Sequence, residues 1–144
     1  GVIDGAMEIL NSSIRKLDIT IHVRLVPENI EVMANNVLLQ QVFVNLINNA
    51  VHAVEGLENA VIEIESTLRD KKVYIIVKDN GHGIPQEKLK HIFDPFFTTK
   101  ISGQGLGLGL TITERILKEI GGSVFVASSE QGTSFEIVLH EASE

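Results

Sequence analysis

A chain of 144 residues, 44% hydrophobic and 22% charged, reads as a single globular domain able to bury a real core. Its net charge of −7 argues against nucleic acid as a partner, because that binding depends on basic side chains neutralising phosphates. Any anion pocket must therefore be local. There is no cysteine, which excludes disulfides and thiolate chemistry and is compatible with a cytoplasmic location. No apolar run approaches the roughly 20 residues of a membrane span, and no signal peptide is visible.

In chain order, Ile3, Met7, Leu10, Ile14 and Leu17 recur at helical spacing and predict an amphipathic helix over 2–17. Ile19, Ile21, Val23 and Leu25 alternate as a strand, stopped by Pro27, and a short strand is expected about 31–33. Asn35 or Asn36 can cap a helix running to about Glu55. Alternating runs over 61–67 and 73–78 flank the polar turn Arg69-Asp70-Lys71 and predict a hairpin. From Asp79 to Leu108 regular pattern is lost, apart from a short helix after Pro85, and so long an irregular segment points to a functional lid. A helix over 108–120 ends at Gly121 and Gly122, and strands over 124–127 and 135–139 close the chain. The fold expected is an α/β two-layer sandwich, a mixed and mainly antiparallel sheet with helices on one face. There is no internal repeat, and a start at Gly1 rather than methionine suggests a piece of something longer.

Three stretches carry candidate chemistry. Projected at roughly 100° per residue, the helix "NNVLLQQVFVNLINNAVHAV" gathers Gln41, Asn45, Asn48, Asn49 and His52 in one sector, with apolar residues over most of the rest and Gln40 as the polar exception. The stripe is either a solvent face or a groove whose amide oxygens can act as hard ligands for Mg²⁺. In "DNGHGIP", Asp79 follows an apolar strand; the segment is either a plain turn or the site of a carboxylate that accepts a hydrogen bond from a buried ligand amine. His82 is expected in solvent, as are His22, His91 and His140, and no histidine shows metal-ligand spacing. "GQGLGLGLTI" sets glycines before a helix, as in anion-binding loops, yet matches neither the Walker nor the dinucleotide pattern. Its leucines seek a core while its glycines stay free to shape themselves around a ligand.

Together, "QQVFVNLINNAVHA", "DNGHGIP", "IFDPFFTTK", "GQGLGLGL" and "GTSFEI", in this order, resemble the asparagine box, first glycine motif, phenylalanine box, and second and third glycine motifs of one domain. It is the ATP-binding catalytic domain of bacterial sensor histidine kinases, in the superfamily shared with gyrase B, the heat-shock chaperone ATPases and MutL. The likeness runs from about Asn36 to Leu139 and is greatest to kinases of the nitrogen-regulation and dicarboxylate-sensing type.

The resemblance implies ATP and Mg²⁺ as cofactors. It implies Asn49 as the Mg²⁺ ligand, Asn45 beside the phosphates, Asp79 on the adenine amine, Gly81 and Gly83 beneath the base, and Thr133 completing the adenine contact. Gly103, Gly105, Gly107 and Gly109 match the lid glycines around the triphosphate, and Ile84, Phe93, Thr99, Leu106 and Leu108 complete the nucleotide-lining set. Where hydrolysing relatives have a glutamate to deprotonate water, this chain has Asn45, whose amide cannot. Phosphotransfer to a histidine on a separate dimerisation domain is therefore expected, with Mg²⁺ and Lys100 neutralising charge. Lys100 can also be read as a solvated loop lysine. Phe93, Phe96 and Phe97 can be core or can anchor the lid. His52 stands where some relatives have a phosphate-contacting lysine, and Ala34-Asn35-Asn36 replaces an aspartate usual in the subclass. The implied partners are the phosphoacceptor domain and, through it, a response regulator; the full-length protein is expected to be a homodimer and this fragment a monomer.

Overall fold

The computed structural model describes residues 3, 5–6, 19–25, 36–94 and 109–140. Its elements are β1 (Ile19–Leu25), α1 (Asn36–Ala53), β2 (Ala60–Arg69), β3 (Lys72–Asp79), α2 (Gln86–Leu89), α3 (Gly109–Glu119), β4 (Ser123–Ser129) and β5 (Gly132–His140). Ile3, Gly5 and Ala6 are helical, as expected, while the rest of 2–17 and the strand about 31–33 lie outside the described residues.

The five strands are ordered β1-β2-β3-β5-β4. β1 and β2 run parallel, Ile19 beside Ala60, because α1 carries the chain back across the sheet between them. The other pairs are antiparallel. Period-two alternation sends Ile62 and Ile64 of β2, Val73 and Val77 of β3, and Phe135, Ile137 and Leu139 of β5 to one buried face. Val42, Phe43, Leu46 and Ile47 of α1, and Ile116 and Leu117 of α3, cover that face. The expected mixed sheet with helices on one side is thus the observed one.

Local chemistry sets the ends. β2 and β3 run on to Arg69 and Lys72, which pair directly, leaving a two-residue turn at Asp70 and Lys71. Both turn residues have positive φ, 52° and 63°, the type I′ geometry whose twist matches the flanking strands. The Arg69 guanidinium lies over the Tyr74 ring, 4.5 Å from its centre. α1 stops at Ala53 rather than Glu55, because Glu55 N–H donates to His52 O, one residue short of helical register, and the chain leaves the helix at Gly56. α3 ends in a Schellman motif: Gly122 N–H donates to Leu117 O at 2.7 Å, Gly121 N–H donates to Lys118 O, and Gly121 takes a φ of 79°. Gln40, the odd polar residue on α1, is half-buried with its amide against Gly5 of the leading helical segment.

The opposite face of the sheet is polar and open, with Phe125 of edge strand β4 57% exposed. Ile64→Ala should therefore cost about 2–5 kcal/mol of stability by leaving a cavity in the central sheet. Phe125→Ala should cost under about 1 kcal/mol; urea unfolding of both variants measures the contrast.

Candidate functional site

At one end of the sheet, β3 delivers Asp79 to the buried face in line with Val73, Ile75 and Val77. The side chain is 5% exposed. A carboxylate in such surroundings needs donors, and it accepts Gly81 N–H at 2.8 Å and the backbone N–H of Thr133, its partner in the β3–β5 register. Burial raises the Asp79 titration above the ordinary carboxylate range, and these two backbone bonds offset only part of the shift. Among the described residues no basic side chain contributes to that balance.

The loop after Asp79 is held on both sides. Asn80 Oδ1 accepts Val61 N–H at 2.8 Å while its Nδ2 donates to Asn59 O at 2.7 Å, tying the turn to the start of β2. A methyl group at Gly81 would strike the Ala53 carbonyl at the end of α1, and one at Gly83 would strike the Ser129 carbonyl. Only glycine permits both approaches. Ile84 N–H donates to Ser128 Oγ at 2.6 Å, and that oxygen lies 2.8 Å from Thr133 Oγ1. His82 is exposed.

The second wall is α1. Gln41 is exposed, whereas Asn45, Asn48, Asn49 and His52 are half-buried, so their stripe is not a free solvent face. α3 closes one side: Asn45 Nδ2 donates to Thr113 Oγ1 at 3.3 Å, while Asn45 Oδ1 accepts from Gln41 at 2.9 Å. His52 Nδ1 is shut off from solvent and, among the described residues, makes no hydrogen bond; the Glu55 carboxylate stands 3.4 Å away, an ion pair when the imidazole is protonated. Phe93 packs against the core, and its carbonyl accepts the Thr111 hydroxyl at 2.8 Å, joining the end of the loop to α3.

The structure thus brings together Asp79, Gly81, Gly83, Ile84 and Thr133 on one wall. Asn45, Asn49 and His52 line the other, with Phe93 and the first residue of α3, Gly109, at the α3 side. Thr99, Lys100, Gly103, Gly105, Leu106, Gly107 and Leu108, with Phe96 and Phe97, lie outside the described residues. Two residues of this network, buried Thr113 and half-buried Ser128, escaped the sequence reading. Thr113 falls at helical spacing between Leu110 and Ile116–Leu117 on the buried side of α3, a detectable signal. Ser128 sits in an ordinary alternating strand, and nothing local marks it.

Among the described residues no cluster of histidine, cysteine or carboxylate side chains could cage a metal. A hard ion here would rest on amide oxygen, ligand oxygens and water, a donor set that suits Mg²⁺. A hollow of about 500 Å³ at this end of the sheet is lined by Asp79, Asn80, Ser128 and Thr133 together with Glu63 and Lys78.

Residues 34–143 match the family model for histidine kinase-, DNA gyrase B-, and HSP90-like ATPases. The chain belongs to this ATPase family. It is 33% identical to the C4-dicarboxylate transport sensor protein DctB of Rhizobium meliloti over 98% of this chain, and it covers 22% of that protein. The chain therefore spans under a quarter of this relative's length. The nucleotide-free catalytic domain of histidine kinase ThkA superposes with a TM-score of 0.86 at 34% identity, over 97% of this chain and 90% of that one. ThkA is also known in complex with the response regulator protein TrrA, where the TM-score is 0.82 at 32% identity, over 98% of this chain and 40% of that one. Full-length ShkA in complex with AMPPNP gives a TM-score of 0.83 at 25% identity, over 100% of this chain and 30% of that one.

The buried carboxylate of this family member carries a stability cost. Because its folded-state titration is raised, the native state holds the Asp79 proton to higher pH than the unfolded chain does. Stability is therefore lost as pH rises through that range, and the cost is fully present above it. Asp79→Asn should raise the melting temperature of the ligand-free domain at neutral pH, and its advantage should shrink on acidification; thermal melts across a pH series measure both.

Proposed function

We propose that this domain binds Mg-ATP and transfers the γ-phosphate to a histidine on a separate phosphoacceptor domain of a two-component sensor kinase. The observation that carries the reading is Asp79. An acceptor-only group is buried at a strand end with no basic partner among the described residues, and a loop that requires glycine follows it. A ligand amine such as adenine N6 supplies the donor that this carboxylate lacks. Gly81 and Gly83 let the backbone approach the base plane, and Thr133 completes the base contact. The structures of ThkA and ShkA support the same reading, since the first is a histidine kinase and the second was solved with an ATP analogue.

Asn49, one turn beyond Asn45, would offer its amide oxygen to Mg²⁺, which supplies charge neutralisation at the phosphates when bound. His52 extends the same edge of α1 toward the phosphates. Asn45 is held by Gln41 and Thr113 and has no group to take a proton from water. Phosphate loss to solvent should be slow, leaving the γ-phosphate for a stronger nucleophile. Lys100 and the lid glycines would neutralise and enclose the triphosphate during transfer. The response regulator bound to ThkA makes a protein of that class the partner we propose downstream. No described helix is long and apolar enough to cross a membrane; a domain that draws on ATP would work in the cytoplasm. Full-length pairing would use the phosphoacceptor domain, and sedimentation equilibrium of this chain alone should give a monomer.

Calorimetric titration should show ATP binding with Mg²⁺ that Asp79→Asn weakens by roughly tenfold or more, the loss of a hydrogen bond to a charged group. Negligible phosphate release from the wild-type complex should accompany it. Absence of binding would sink the nucleotide reading, and steady release would sink the role given to Asn45. Asn49→Ala should abolish the Mg²⁺ dependence of ATP affinity while leaving metal-free ATP binding nearly unchanged, as the same titration with and without chelator would register.

A further inference from the structure

Asn80 has no task in the nucleotide reading, yet it carries more hydrogen bonds than its exposure would suggest. Its Oδ1 accepts Val61 N–H at 2.8 Å, its Nδ2 donates to Asn59 O at 2.7 Å, and its main-chain N–H donates to Val61 O at 3.2 Å. Both side-chain partners are main-chain groups of fixed polarity, so the amide can sit only one way round. In a continuing antiparallel ladder Val61 and Asn80 would exchange two main-chain bonds. Here Asn80 gives its N–H to Val61, but its side-chain oxygen, not its main-chain carbonyl, receives Val61 N–H in return. The side chain stands in for the peptide. The chain is thereby free to leave the sheet one residue after Asp79 and to pass under the end of α1, where Gly81 N–H reaches Asp79 Oδ1 at 2.8 Å.

We propose that Asn80 is a positioning residue for the base subsite, a side-chain surrogate for the β2–β3 ladder that releases the main chain from the sheet and aims Gly81 N–H at Asp79. This rests on the ATP reading and deepens it. The anchor is firm, because Val61 is also paired with Thr20 of β1 on its other side, so Asn80 is clipped to an interior strand. An alanine at this position would leave Val61 N–H and the Asn59 carbonyl without partners. The main-chain carbonyl of residue 80 is then the nearest replacement acceptor for Val61 N–H, and taking up that bond would extend the sheet and turn Gly81 N–H off Asp79. Burial, Gly81 N–H and Thr133 N–H set the Asp79 titration, and no charged side chain among the described residues enters it. A neutral substitution of Asn80 therefore reaches Asp79 through Gly81.

The test follows the Asp79 carboxyl carbon by NMR across a pH series in the ligand-free chain and measures Mg-ATP dissociation constants over the same series. The proteins are the wild-type chain, Asn80→Ala, Asn80→Gln, Asp79→Asn and the double variant Asp79→Asn/Asn80→Ala. Asn80→Ala should move the Asp79 titration further up, because one of the two bonds that favour the ionised form is lost. It should weaken ATP by about three- to tenfold, the worth of one neutral hydrogen bond. Since the ionised carboxylate is the acceptor for the base amine, the fall in ATP affinity on acidification should begin at higher pH than in the wild type. Asn80→Gln, which holds the same amide one methylene too far out, should behave as Asn80→Ala does. In the Asp79→Asn background Asn80→Ala should cost little further affinity, since Asn80 acts through Asp79. An unmoved Asp79 titration, or additive losses in the double variant, would overturn the proposal and leave Asn80 a plain turn residue. Should Asn80→Ala fail to fold, Asn80→Ser, whose hydroxyl is too short to bridge both partners, must show the same upward movement. If Asp79→Asn leaves ATP affinity intact, the nucleotide reading itself falls and this inference with it; a sensitive Asp79 whose titration Asn80→Ala does not move removes the inference alone.

Discussion

The burial of one carboxylate organises this molecule. Asp79 ends a strand whose other inward residues are Val73, Ile75 and Val77, and its carboxylate occupies a position that sheet alternation assigns to the core. An acceptor there is tolerable only with donors in place. Each donor imposes a constraint on a different part of the chain. Gly81 N–H requires the chain to fold back immediately after the strand, under the end of α1. Thr133 N–H requires β5, rather than β4, to lie beside β3. Burial still holds the Asp79 titration above the ordinary carboxylate value, the two backbone bonds offsetting only part of it. On the proposed reading a ligand donor would complete what the protein leaves open, so that the instability of the free site and its affinity would have one origin.

The two walls of the site come from different kinds of structure. The sheet wall is rigid, its loop pinned by Asn80 to β2 and by Ser128 to β4. The helical wall is a polar stripe on an otherwise buried helix, and it keeps its amides oriented through the Asn45–Thr113 contact to α3. α3, which begins at Gly109, is the helix that touches Asn45. Phe93, bonded through its carbonyl to Thr111, ties its own segment to the same helix.

Much of the architecture was legible because hydrophobic periods report burial on a sheet or helix directly. The alternation over 61–67 and 73–78 found the hairpin, although its turn was read one residue too wide. Asp70 and Lys71 adopt positive φ without glycine or asparagine to announce it. The glycine pair after α3 was a sound stop signal because a positive φ at Gly121 is what the Schellman motif needs. Asp79 stood out as a charge at the end of an apolar strand, and the asparagines as amides where a solvated helix would carry lysine and glutamate. The stripe stayed ambiguous between solvent face and groove, since helical projection gives an angle but not what stands opposite.

By itself, then, the sequence determined, among the described residues, which segments are strands and helices and which polar residues break their apolar pattern. Those are properties of spacing along one chain. The tertiary structure decided that β5 enters between β3 and β4, that Thr133 therefore donates to Asp79, that Thr113 meets Asn45, and that Ser128 meets Ile84 and Thr133. Ser128 is 44 residues from Ile84, and Thr113 is 68 from Asn45. A hydrogen bond over such separations leaves no local trace, because it depends on sheet order and helix packing rather than on neighbouring residues.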